Sequence, residues 1–236
     1  MIWLGIDTSN VPLSVAVVQD GQLLVEWTSS MKLTHSVGAM PAVEEALKQA
    51  NLQPKEIDAI AVAEGPGSYT GVRIGVTIAK TLAWTLQIPL VGVSSLKVLA
   101  AAGTLFNGLI CPIMDARRQN VFSAIYTHEL ETDLVDGHYA LEEVLNKLSE
   151  KDGDVLFIGK DVGIHWDAIV SVLGNRAVRA PFHLDLPRAS VIIEQALKMP
   201  LPSIEETHHF VPDYKRITEA ETNWRAEQQK AGNTHE

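Results

Sequence analysis

Residues 57–86 read "IDAIAVAEGPGSYTGVRIGVTIAKTLAWTL". The run opens as a buried-type strand, "IDAIAVA", passes through a turn holding Gly65, Pro66, Gly67 and Gly71, and continues as an apolar segment of helical period. A strand that enters a helix this way is the unit of an α/β sheet. The glycines either offer backbone N–H groups to an anion or let two backbones come close.

Two nucleotide signatures fail at this turn. A dinucleotide fingerprint needs G-x-G-x-x-G, and Gly65, Gly67 and Gly71 are spaced one residue too far. A phosphate-binding P-loop needs a glycine directly before its lysine, whereas Lys80-Thr81 follows Ala79 well inside the helix. Glu64 beside the turn repels an anion or takes its place.

The helix after the turn, expected from about Thr70 to Leu86, carries Gly71, Gly75, Ala79 and Ala83 at every fourth residue. Such a row makes a shallow groove for a closely packed helix. Gly75 costs the helix about 1 kcal/mol relative to alanine, which asks for a packing reason. The preceding helix, expected from about His35 to Ala50, sets Met40, Val43, Leu47 and Ala50 on one face beside a strip of Ala39, Ala42 and Ala46. The two small-residue rows either pack together inside one lobe or meet an outside surface. Pro41 removes one hydrogen bond from the first helix.

Working outward, "IWLGID", "LSVAVVQ" and "LLVEWTS" read as three strands, the last two joined by the hairpin dipeptide Asp20-Gly21. "LVGV" is a further strand, and Ser94 or Ser95 caps the helix behind it. The order is that of an α/β lobe with a mixed sheet. From Leu109 the pattern restarts with "LICPIMDA", "NVFSAIYTHEL", helical "ALEEVLNKLSE", "DVLFIG" and helical "SVIIEQALK". These signals predict a first lobe over 1–105, a reduced second lobe over 106–224 and a flexible tail over 225–236.

The chain has 236 residues, 46% of them hydrophobic, enough for a substantial core. Its formal charge of −10 repels phosphate backbones, so nucleic acid would be held mainly by a partner. The single cysteine, Cys111, fits a small buried hydrophobe and a reducing, cytoplasmic compartment. No run approaches a membrane span and no signal peptide is recognisable.

Candidate chemistry is sparse. Asp7-Thr8-Ser9 follows the first strand, where a carboxylate and hydroxyls could face phosphate and metal, or simply form a turn. His35 would need a second histidine one turn on to bind a metal, and that position is Ala39. Arg73, Lys80, Arg117 and Arg118 read singly as solvated cations.

"GIDTS", "HS" before an alanine-rich helix, "EGPGSYTGVRIG", "GVSSL" and "PDYKR" together resemble the TsaB family, over nearly the whole chain. The resemblance implies a two-lobed actin-like ATPase/sugar-kinase fold without nucleotide chemistry of its own. It implies a non-catalytic subunit, with no cofactor or metal of its own, that activates TsaD for threonylcarbamoyl transfer to adenosine 37 of tRNA. ATP and metal then belong to the partner subunits, TsaE joins the assembled pair, and tRNA is met through the complex. TsaD, or a second copy of the chain, is expected on Val37, Met40, Val43 and Leu47 of the first helix. On the second helix the same surface comprises Arg73, Gly75, Val76, Ala79, Lys80 and Ala83. On this view the glycine-rich turn is an elbow that launches the second helix. An autonomous ATP-dependent enzyme, a metallopeptidase or a homodimeric scaffold with another client are the alternatives.

Overall fold

Alternation in the first strand sets the architecture. In β1 (Ile2–Asp7), Leu4 and Ile6 enter one apolar core and Trp3 enters another on the opposite side of the sheet. A strand buried on both faces lies inside a doubly covered sheet. β1 pairs antiparallel with β2 (Leu13–Gln19), and β2 likewise with β3 (Gln22–Ser29). On its other edge β1 runs parallel to β4 (Ala59–Gly65), and β4 to β5 (Leu90–Ser94). Asp20 and Gly21 join β2 to β3 with φ of 50° and 81°, the left-handed pair a two-residue hairpin turn requires. The computed structural model describes residues 1–31 and 34–215.

Two helices, α1 (His35–Gln49) and α2 (Tyr69–Leu86), cover one face of this sheet. Ser68 caps α2 by accepting a hydrogen bond from the Gly71 N–H, and Gln87, in the left-handed region, ends it. The opposite face carries α3 (Ser95–Ala101) and α6 (Ala189–Ala196) through Val98, Ile192 and Ile193. Strand side chains there are small, with Ala16, Ala59, Ala61 and Ala63, so α6 lies close. Gly5 is part of this fit, since a Cβ there would sit 2.5 Å from the Ala189 carbonyl oxygen.

Residues 102–108 lead to a second sheet of the same design. β6 (Leu109–Asp115) pairs antiparallel with β7 (Asn120–Tyr126), and β7 with β8 (Thr132–Ala140). It runs parallel to β9 (Val155–Ile158), and β9 to β10 (Ala177–Arg179). Both sheets therefore have the order third-second-first-fourth-fifth strand. α4 (Leu141–Ser149) and α5 (Val162–Leu173) cover one face, and Leu96, Leu99 and Ala100 of α3 pack on the other. At 9 and 12 residues, α4 and α5 are shorter than α1 and α2 at 15 and 18, so the second lobe is the smaller copy.

β8 and α5 go beyond the sequence reading. β8 holds Asp133, Asp136 and Gly137, poor strand formers that its pairing with β7 overrides. α5 is apolar on most sides, so no amphipathic stripe marks it, and its N-cap residue Asp161 makes no side-chain cap. One expectation is corrected. The segment from Ala189, assigned from sequence to the second lobe, returns to the first, where α6 packs on the sheet and α7 (Ile204–His209) on α2. Residues 225–236, expected as a tail, lie outside the described residues.

Candidate docking face and interlobe cleft

The elbow between β4 and α2 is filled by the chain's own β1–β2 loop. Ser68 N–H donates to the Ser9 carbonyl at 2.7 Å, and a Cβ on Gly67 would lie 2.1 Å from that same oxygen. Thr8 Oγ1 donates to the Gly71 carbonyl at 2.7 Å, and a Cβ on Gly71 would lie 2.2 Å from the Thr8 carbonyl oxygen. The glycines thus serve close backbone approach, as the elbow reading expects.

The small-residue row continues that approach. Gly71, Gly75, Ala79 and Ala83 face the sheet, and a Cβ on Gly75 would lie 2.4 Å from Thr8 Oγ1 and 3.7 Å from Val62. Four residues expected on a partner surface, Gly75, Val76, Ala79 and Ala83, are therefore sealed inside the first lobe. The reason is the apolar stripe of Val72, Val76, Ala79 and Ala83, which the sheet's core claims. The strip of Ala39 and Ala46 on α1 is buried as well.

The other expected residues divide three ways. Val37 and Met40 are exposed, at 71% and 43%. Val43 and Leu47 are buried yet form the floor of a groove of about 530 Å³ whose walls include Met40, Leu52, Ile57 and Leu82 of α2. Arg73 sits 4.9 Å over the Tyr69 ring, and a hydrogen bond to Tyr214 raises its pKa. Lys80 is held by the carbonyls of His208 and Phe210, at 2.7 and 2.9 Å.

These last contacts belong to a strap, Ile204–Lys215, that sequence reading missed because no periodic signal says where it lies. It crosses α2 with the His208 ring against Trp84 and the Tyr214 ring 4.8 Å from Tyr69. Asp213 N–H then donates to the Glu64 carbonyl at 2.8 Å. A Cβ on Gly65, whose φ is 111°, would lie 2.6 Å from the Asp213 carbonyl oxygen, so a glycine at this point of the turn is the one sequence feature that accommodates the strap.

An open cleft of about 620 Å³ separates the lobes at the strand ends, between Asn10, Ser68 and Tyr69 on one side and Asp115, Arg117 and Arg118 on the other. Asp7, fully buried behind it, accepts from the N–H and hydroxyl of Ser9 through Oδ1 while its Oδ2 has no hydrogen-bond partner among the described residues, and burial pushes its pKa up against those bonds. Asp115 pairs with His165 at 3.0 Å, and Asp161 joins the lobes by accepting from Asp115 N–H and Asn10. His35 Nε2 lies 2.7 Å from the Asn10 carbonyl oxygen, while Ala39, one turn on, is fully buried. Among the described residues no group of three His, Cys, Asp or Glu side chains could hold a metal. Cys111 is fully buried and its thiol is pushed up to about 12 by burial. Among the described residues no helix is long and apolar enough to cross a membrane.

Comparison with known proteins narrows the family. A family model described as TsaD, tRNA N6-adenosine threonylcarbamoyltransferase, matches residues 27–224. The Bacillus subtilis tRNA threonylcarbamoyladenosine biosynthesis protein TsaB is 44% identical over 95% of this chain and 98% of that protein. Its Escherichia coli namesake is 33% identical over 62% of this chain and 67% of its own length. A solved Pseudomonas aeruginosa protein, described as similar to peptidase YeaZ, superposes with a TM-score of 0.76 at 26% identity, covering 91% of this chain and 99% of its own. The fold shared with that protein is a two-lobed α/β architecture with a mixed five-stranded sheet in each lobe. With 44% identity across almost its whole length, the chain belongs to the TsaB family of tRNA threonylcarbamoyladenosine biosynthesis proteins.

Proposed function

We infer that this chain is an accessory subunit of tRNA threonylcarbamoyladenosine formation, docking TsaD through the outer side of α1 and α2 and catalysing nothing alone. The observation that carries the reading is the groove walled by Met40, Leu52 and Leu82 and floored by Val43 and Leu47, with Val37 exposed on the same helix. Large apolar side chains exposed beside an apolar groove favour a protein partner over solvent. The same groove accepts a second copy of the chain when TsaD is absent. ATP and metal are supplied by the partner subunits, TsaE joins the pair, and tRNA is bound mainly outside this chain, whose net charge is −10.

Support comes from the family and from Asp115, the cleft carboxylate at the end of β6, which is paired with His165. The test is reconstitution of modified tRNA from purified subunits, leaving out one at a time. The expected result is no product without this chain and no nucleotide turnover by it alone. Full yield in its absence, or steady ATP consumption by the isolated chain, overturns the reading.

A further inference from the structure

Three carboxylates and one lysine meet where the strap joins the lobes. Glu64 ends β4, Asp136 comes from β8 of the second lobe, and Asp213 and Lys215 belong to the strap. Asp136 accepts hydrogen bonds from Ser94 of the first lobe and from Tyr126 of its own. Asp213 pairs with Lys215 at 2.8 Å. The Glu64 carboxylate, with Oε2 packed at Gly92 beside the Phe210 ring, makes no hydrogen bond or ion pair among the described residues. A half-buried acid in the neighbourhood of two other carboxyl groups and one lysine keeps its proton more readily than a free one.

We propose that the segment Ile204–Lys215 is a latch whose seating over α2 and β4 is set by the proton on Glu64, firm when the carboxyl is neutral and loosened when it ionises. The latch has few polar ties: its backbone touches the first lobe through Asp213 N–H to the Glu64 carbonyl and through the Lys80 ammonium, its rings rest on Tyr69 and Trp84, and Phe210 packs against the first lobe's core. Ionised Glu64 sets a charge beside the Phe210 ring of the strap and repels Asp213, whose N–H is bonded to the Glu64 carbonyl.

Burial first, then Asp213 and Asp136, push Glu64 up to about 7 from an ordinary 4.5, with Lys215 opposing. Lifting the latch rewets Glu64 and removes Asp213, so its pKa falls back toward the ordinary range. The seated form therefore holds the extra proton between these two values. Seating weakens as pH rises through that window and levels off above pH 7.

Hydrogen exchange of the full chain, corrected for the intrinsic rate at each pH, reads the latch directly. Amides of residues 204–215 should open at least about tenfold more at pH 8.5 than at pH 5, with β1 amides as an unchanging internal reference. Glu64→Gln should stay protected at both pH values. Asp213→Asn, which removes a neighbouring charge, should move the transition to lower pH and serves alone if the first variant loses β1 protection. Equal corrected exchange of the wild-type strap at both pH values overturns the proposal, as does a transition unmoved in the variants. The outcome is independent of whether TsaD is the partner.

Discussion

In the first lobe α2 rests on its sheet through Gly71, Gly75, Ala79 and Ala83, whereas in the second α5 rests on an equivalent sheet through Val162, His165, Ile169 and Leu173. Strand order is shared, so the contrast lies in the helices, α2 being longer and setting glycine and alanine beside Val72 and Val76 on its buried face, where α5 has only larger side chains. Small residues draw α2 down until its backbone meets Thr8, which donates to the Gly71 carbonyl. In α5 the contact is made by larger side chains, Val162, Ile169 and Leu173, which lie in the second lobe's core. The close helix is clamped along its inner side, so its outer side is presented as a fixed surface. A row of glycine and alanine marks close approach, and the approach can be made to the protein's own sheet.

Substitutions that change volume at the two helix–sheet contacts probe this contrast most strongly. Ile169→Ala should leave a cavity and cost about 2–5 kcal/mol in denaturant unfolding, because Ile169 is fully buried in the second lobe's core. Gly75→Ala errs in the opposite direction. Its new Cβ would meet Thr8 Oγ1 at 2.4 Å, and overpacking should cost about 1–3 kcal/mol. A neutral effect on stability together with lost partner binding would turn the row outward and break the comparison.

Smaller changes sharpen it. Thr8→Val keeps the shape of the contact but deletes the 2.7 Å bond to Gly71, and about 1 kcal/mol of stability should go with it. Val37→Ser with Met40→Ser alters exposed positions, and its unfolding free energy should stay within about 0.5 kcal/mol per site of wild type.

The first lobe was the more legible half. Asp20-Gly21, the Ser94 cap and the break after Ala50 each have a local cause written in one or two residues, and each is found in place. What periodicity leaves open is direction. It defines a face of α2 without saying whether the sheet or a partner lies opposite, although Val72 and Val76 share the face of Gly71 and Gly75 and point to the core. The return of α6 was illegible for a related reason, since an amphipathic helix does not name its sheet. Gly5 in the middle of β1 was the available hint. The interlobe contacts, such as Asn10 with Asp161, join residues 151 apart and leave no local pattern.

Titration of the purified chain with TsaD, comparing wild type with a Val37→Asp, Met40→Asp variant of unchanged unfolding midpoint, tests the docking face most directly. Affinity is expected to fall by about tenfold or more, because charges replace Met40 at the rim of the groove and the exposed Val37 on the same helix. Equal affinity for the two proteins would contradict the account and move the partner to another surface.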